Sequence, residues 1–323
     1  MKEIILSIQS PFGSPIELTQ FTWEGIQKKN LISIVSGIQG NHLNGIYICS
    51  RLVRFLNLVE SGKEPGYHIK DGIKIIPAIN IPAIQEGKGI WSLYDLDMNL
   101  AFPGNDRGEV TEQITAAVYQ HTKDSQLGVI LKSAEIHYED TPHLLCLNPD
   151  GLTKDFARSL GLQIAREPKT SSNFKLSLHS QWLDQMMTSV VLSAGKPNHL
   201  DINLCETIFF GLINGLLWAG VLGNDRKKPI KNQLKFNSKG KELIVFSSAS
   251  GFFLPNAKLG SEVQKGQNIG SIVDIYSNTT LESIFVNSSG YLVTLRNYPI
   301  VYQGEMLAIL LRKSKLLFWP FNK

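Results

Sequence analysis

Short apolar runs punctuate the first two-thirds of the chain, at residues 31–35, 73–78, 129–131 and 190–192. Each is bounded by Gly, Pro, Asn or Ser, a pattern that predicts strands buried on both faces of a sheet. Between them, hydrophobic positions recur at helical spacing. Residues 45–59 carry Ile46, Cys49, Leu52, Val53 and Leu56, and residues 201–219 carry Leu204, Ile208, Leu212 and Leu216. A third helix is predicted over 111–121, opening Thr111-Glu112-Gln113. Strands alternating with helices predict an α/β architecture with helices on both faces of the sheet.

The pattern changes after about Asn224. Runs at 243–247, 269–275, 282–286, 291–295 and 306–311 are short and closely spaced, and glycines such as Gly251, Gly260, Gly266 and Gly290 mark the turns between them. A small all-β domain is the expectation. The segment from Gly260 to Gly266, followed by Gly270, resembles the barrel-sandwich hairpins of lipoyl- or biotinyl-type domains. It lacks a lysine at a tight hairpin tip, so no carrier role is expected. The predicted organisation is an α/β domain over 1–225, a linker over 226–239 and a β domain over 240–323.

Composition adds limits. At 323 residues and 43% hydrophobic, the chain can bury two cores. The formal charge of +4 is mild, and its densest cluster, Arg226, Lys227, Lys228, Lys231 and Lys235, lies in the expected linker. A solvated connector explains that cluster better than a nucleic-acid surface. Ile4, Ile5 and Leu6 are followed at once by Ser, Gln, Ser and Pro, so neither a signal peptide nor a membrane span is expected. Cys49, Cys146 and Cys205 are odd in number and far apart, as expected of buried thiols in a reducing, cytoplasmic setting.

Chemistry concentrates where strands end, which is where ligands bind in sheets of this type. Gly37-Ile38-Gln39-Gly40-Asn41-His42 follows the first buried run, His137 follows the run at 129–131, and Ser193-Ala194-Gly195 follows the run at 190–192. In order and spacing these segments resemble the succinylglutamate desuccinylase/aspartoacylase family of the zinc carboxypeptidase-like superfamily. The family turn H-G-x-E is matched by Gln39-Gly40-Asn41-His42, and D-L-N-R-x-F-P-G by the stretch from Asp97 to Gly104. D-L-H is matched by Glu135-Ile136-His137, and T-V-E-L-G by the stretch from Val191 to Gly195. The resemblance spans nearly the whole chain and implies a mixed sheet flanked by helices with a smaller C-terminal β domain.

The resemblance implies zinc held by Gln39, His42 and His137, activating a water. Glu135 and Ser193 then occupy the catalytic region, and Asn99, Leu100 and Trp91 the substrate wall. The departures concern chemistry. Gln39 is a weaker ligand than the family's His, and Ser193 replaces its general-base Glu. Glu135, Glu139 and Asp140 are the candidate substitutes, Glu135 sharing a face with His137 if both lie on one strand, though a supporting or solvated carboxylate is the favoured expectation for all three. Leu100 replaces the arginine that clamps a substrate carboxylate, and no arginine occurs between Arg54 and Arg107. Two functions follow: a zinc-dependent deacylase-type hydrolase acting on an amide or ester of an unusual substrate, or a catalytically silent homologue that binds a ligand or partner. Expected partners are a small-molecule substrate or another protein, a homo-oligomer included, with no nucleic acid and no membrane. The other histidines, His68, His121, His143, His179 and His199, have no partner at ligand spacing. Phosphate-binding, serine-elbow and paired CxxC motifs are absent.

Overall fold

The computed structural model describes residues 1–312 apart from 12, 28, 148–150, 168–171, 227, 231–235 and 240–241. Four parallel strands form its centre: Gly72–Ile76, Leu31–Ser36, Leu127–Lys132 and Thr188–Gly195, adjacent in that order. These are the four apolar runs read from the sequence. Their burial is nearly continuous, as expected of strands covered on both faces. The antiparallel hairpin Lys2–Ile8 with Ile16–Trp23 extends the sheet on the Gly72–Ile76 side.

Helices cover both faces. Leu43–Glu60 and Ile202–Trp218 pack on one core, with Ile48, Leu52, Leu56, Ile208 and Leu212 against Ile34, Val129 and Val190. On the other face Val110–Thr122 and Leu178–Asp184 bury Ile114, Val118, Leu178 and Trp182 against Val35, Ile130 and Val191. The Trp182 ring lies over Gly128, where an added Cβ would stand 2.3 Å from it. This explains a glycine in mid-strand.

The C-terminal module continues the large sheet. Tyr138–Leu145 pairs antiparallel with Thr188–Gly195 on one side and with Gly290–Arg296 on the other, and Met306–Arg312 and Glu242–Phe246 follow. A second sheet of four strands, Thr280–Phe285, Asn268–Val273, Gly251–Pro255 and Ile300–Val301, closes over a separate core containing Phe253, Ile272, Leu292 and Leu310. The stretch expected as a linker includes a strand, Phe236–Lys239, parallel to Ile164–Glu167. Lys227, Lys231 and Lys235 of the basic cluster lie outside the described residues. Among the described residues no helix is long and apolar enough to cross a membrane. The three cysteines are buried and form no disulfide.

Candidate functional site

The site is built from the carboxyl ends of the parallel strands. After Leu31–Ser36 the chain turns through Gly37, whose φ of +72° suits a glycine. Its carbonyl accepts from the Asn80 amide at 2.8 Å, and the Asn80 side chain donates to the Ile38 carbonyl at 3.3 Å. Gly40 is pressed against the helix Ile81–Glu86, so closely that a Cβ would lie 2.4 Å from its backbone. The turn is therefore fixed before His42 caps the helix Leu43–Glu60.

Gln39, Asp97 and Glu135 line two adjacent cavities and join them into a two-lobed site. The first lobe, about 270 Å³, has apolar walls from Ile38, Ile130, Phe174 and Val191, with Asn99, Lys132 and His179 as further polar groups. The second, about 370 Å³, is lined by Asn41, His42, Lys88 and Asp95. Asp97 organises the floor: its Oδ1 accepts from Gln39 Nε2 at 3.2 Å and from the Asn99 backbone at 2.9 Å.

Lys132 ends the strand Leu127–Lys132, opposite Ser193 in register. Its ammonium is ion-paired with Glu135. Burial alone would push the lysine down, but Glu135 and, after it, Asp140 more than offset this and hold it above its usual range. The same lysine holds the Glu135 carboxyl below the usual carboxylate range. Glu135 is 68% exposed and Lys132 21%, so the pair spans rim and wall. His42 is buried, and burial together with the Lys132 charge lowers its pKa to about 4, so the imidazole is neutral near pH 7.

Several sequence expectations change here. The chain leaves its strand at Lys132, and Ile136 and His137 form a turn before Tyr138–Leu145 begins. Glu135 and His137 therefore share no strand face, because alternation of faces requires extended backbone. His137 has φ +76°, its carbonyl accepts from the Asn297 amide at 2.9 Å, and its ring lies on Tyr298 with centroids 4.5 Å apart. It lines neither lobe. Ser193 is fully buried and donates to Asp140 Oδ2 at 2.6 Å. Asn99 lines the first lobe, whereas Leu100 and Trp91 line neither, the Trp91 ring packing edge-on against Tyr94.

Zinc requires three donors converging with free lone pairs. Gln39 offers one neutral oxygen, and its amide nitrogen is engaged by Asp97. The His42 hydrogen bond to the Ala134 backbone uses one ring nitrogen and leaves the other free to ligate, but His137 is stacked on Tyr298 and lines neither lobe. The Lys132 ammonium already supplies a positive charge that acts on His42. Among the described residues no group of three or more His, Cys, Asp or Glu could hold a metal ion. Gln39 and His42 line one lobe and His137 lines neither, so the three expected donors share no cavity, and with the Lys132 charge acting on His42 the set is a poor fit to a zinc centre.

Lys132 and His179 line the cavity and were missed by motif matching, whereas Asp97 opens the matched stretch from Asp97 to Gly104 but was given no role of its own. A single charge closing the apolar run Gly128-Val129-Ile130-Leu131 was the available signal, since strand ends are where ligands bind.

No protein-family model matches the chain, and no curated protein does. Solved structures do match. A succinylglutamate desuccinylase/aspartoacylase from Rhodobacter sphaeroides is 19% identical, with a TM-score of 0.76 over 93% of this chain and 91% of that one. A succinylglutamate desuccinylase from Silicibacter sp. TM1040 gives 0.78 at 16% identity, over 97% and 95% of the two chains. The product-bound ectoine utilization protein EutE (DoeB) from Ruegeria pomeroyi gives 0.77 at 16% identity, over 97% and 94%. The chain has the succinylglutamate desuccinylase/aspartoacylase fold. The resemblance read from Gln39-Gly40-Asn41-His42 and from Asp97 to Gly104 is thus carried by the whole architecture, including the C-terminal β module.

Proposed function

We propose that this protein is a hydrolase of the deacylase type that cleaves an amide or ester of a small molecule without zinc. The observation that carries the reading is the two-lobed cavity at the carboxyl edge of the parallel strands, on a fold shared with deacylase-family proteins. In an amide, water adds to the acyl carbon, the C–N bond breaks, and a water proton ends on the leaving nitrogen. Lys132 is the cation placed to stabilise charge on the carbonyl oxygen, a task suited to a fixed charge in a partly dry site. Glu135 is the adjacent carboxylate that could take the proton. Its pairing with Lys132 makes it a weak base, so turnover should be slow.

The experiment is hydrolysis of a panel of short N-acyl amides and esters, with and without a chelator. We expect slow, chelator-insensitive turnover and no cleavage of N-acetylaspartate, because Leu100 replaces the clamp arginine in the matched motif and, among the described residues, no arginine lines either lobe. Efficient cleavage of N-acetylaspartate, or activity abolished by the chelator, would overturn the reading. Absence of all hydrolysis would support the second reading, a silent homologue that binds a ligand or partner. That reading is favoured by the engagement of both expected catalytic groups, Glu135 with Lys132 and Ser193 with Asp140.

A further inference from the structure

The second lobe has the wrong charge for the acidic substrates that the resemblance would suggest. Asp95, Asp97 and Glu135 line it, against Lys88 and the Lys132 ammonium that pairs with Glu135, which leaves Asp95 and Asp97, among the described residues, as the carboxylates with no paired lysine in the lobe's wall. Lys88 is exposed and donates to Ser92 Oγ at 2.6 Å. Asp97 receives its hydrogen bonds at Oδ1, which leaves Oδ2 for a ligand.

A second observation points the same way. Asn41 also lines this lobe and is more than nine-tenths buried, yet its Oδ1 has no hydrogen-bond partner. The oxygen lies beside Gly89, another lining residue, where an added Cβ would stand 3.2 Å away. A buried acceptor without a donor is destabilising unless something donates to it. Carboxylates and an orphan carbonyl oxygen share one complement, a cation bearing N–H groups. The first lobe, by contrast, has the apolar walls Ile38, Ile130 and Val191.

We propose that this cavity selects an N-acylated amine that keeps a second, positively charged amino group, an N-acyl diamine being the simplest member. The acyl group occupies the apolar lobe, with its carbonyl towards Lys132. The ammonium lies in the acidic lobe with Asp95, Asp97 and Asn41 Oδ1. The assignment rests on the cavity being the ligand site of the proposed hydrolase, and it concerns recognition rather than the chemical step.

The test compares three probes of similar length by calorimetry: N-acetylputrescine, its neutral analogue N-pentylacetamide, and the anionic N-acetyl-4-aminobutyrate. We expect the cationic probe to bind about tenfold more tightly than the neutral one, with the anionic probe weakest. The preference should shrink as salt is raised, since the lobe is open to solvent. In Asp95→Asn, and in the double variant that adds Asp97→Asn, the cationic advantage should fall towards parity, with a native-like urea transition showing that the variants fold. Equal affinity for all three probes, or a preference unchanged in the double variant, would overturn the proposal. So would displacement of N-acetylputrescine by stoichiometric magnesium or zinc. Hydrolysis without charge preference would sink this proposal and leave the hydrolase reading standing. Selective binding without hydrolysis would do the reverse.

Discussion

Ser193 shows how one side chain changes its meaning between motif and structure. Its position in the stretch from Val191 to Gly195 suggests a lost general base. In the fold it donates to Asp140 Oδ2 at 2.6 Å, while Thr294 Oγ1 donates to Oδ1 at 2.5 Å. The hydroxyl therefore solvates a buried carboxylate. Ser193→Ala should lower stability by about 1–3 kcal/mol, the usual penalty for depriving a buried acceptor of a partner. Urea unfolding would measure this, and an unchanged midpoint would refute the role. The cysteines offer a second residue-level check. Burial raises the thiol pKa of Cys49 and of Cys205 to about 12. Thiolate is the reactive form, so both should resist a disulfide reagent in the native protein and react once it is unfolded. Rapid native labelling of either would contradict the buried placement. At this scale, Gln39, His42 and Asn99 could be read from the sequence as lying together at the strand ends, where they line the two lobes, because they sit in turns with family-like spacing. His137 lies outside both lobes, on Tyr298, and no local pattern announces that a histidine will take φ +76° there.

Elements whose stability comes from burying a periodic face were the ones the sequence made readable. The four central strands and the helices Leu43–Glu60, Val110–Thr122 and Ile202–Trp218 lie within a few residues of their predicted places. Tyr138–Leu145 went unread, and reasonably so. Its sequence is polar and contains Pro142, which has no amide to donate to a ladder. The register against Thr188–Gly195 shifts between Asp140 and His143, across that proline. The strand exists because Thr188–Gly195 and Gly290–Arg296 both pair with it, information that is not local. How elements are tied can also be tested. Asn44, fully buried, accepts from the Asp201 amide at 3.0 Å and donates to the Ala194 carbonyl at 3.4 Å. One side chain thus fixes the start of Leu43–Glu60 to the end of Thr188–Gly195 and to the cap of Ile202–Trp218. Asn44→Ala should cost about 2 kcal/mol in urea unfolding by leaving those groups unpaired. A loss below about 0.5 kcal/mol would mean the helices are held by apolar packing alone.

For the whole molecule, the join between the α/β part and the C-terminal module is electrostatic as well as sheet-like, and this gives stability a pH dependence. Arg166 Nη1 pairs with Glu242 at 2.6 Å, both side chains being at most 10% exposed. Its Nε donates at 3.0 Å to His143 Nε2, whose Nδ1 donates to the Thr141 carbonyl at 2.8 Å. This arrangement needs a neutral imidazole, since a protonated Nε2 could not accept from the guanidinium. Burial, only partly opposed by Asp140, lowers the His143 pKa to about 4, and burial alone does the same for His179. An unfolded histidine titrates near 6.5. Between about pH 6.5 and 4 the unfolded chain therefore binds more protons than the folded one at both positions. The stability they contribute is complete above about 6.5 and is lost as the pH falls. Each group adds up to about 1.4 kcal/mol per pH unit to the slope, and His42, also lowered to about 4, adds to it in the same direction. The urea midpoint should therefore fall continuously from pH 7 to 4.5, and His143→Gln should flatten that dependence, whatever it does to stability at pH 7. A midpoint independent of pH over this range would show that these imidazoles reach water in the folded state.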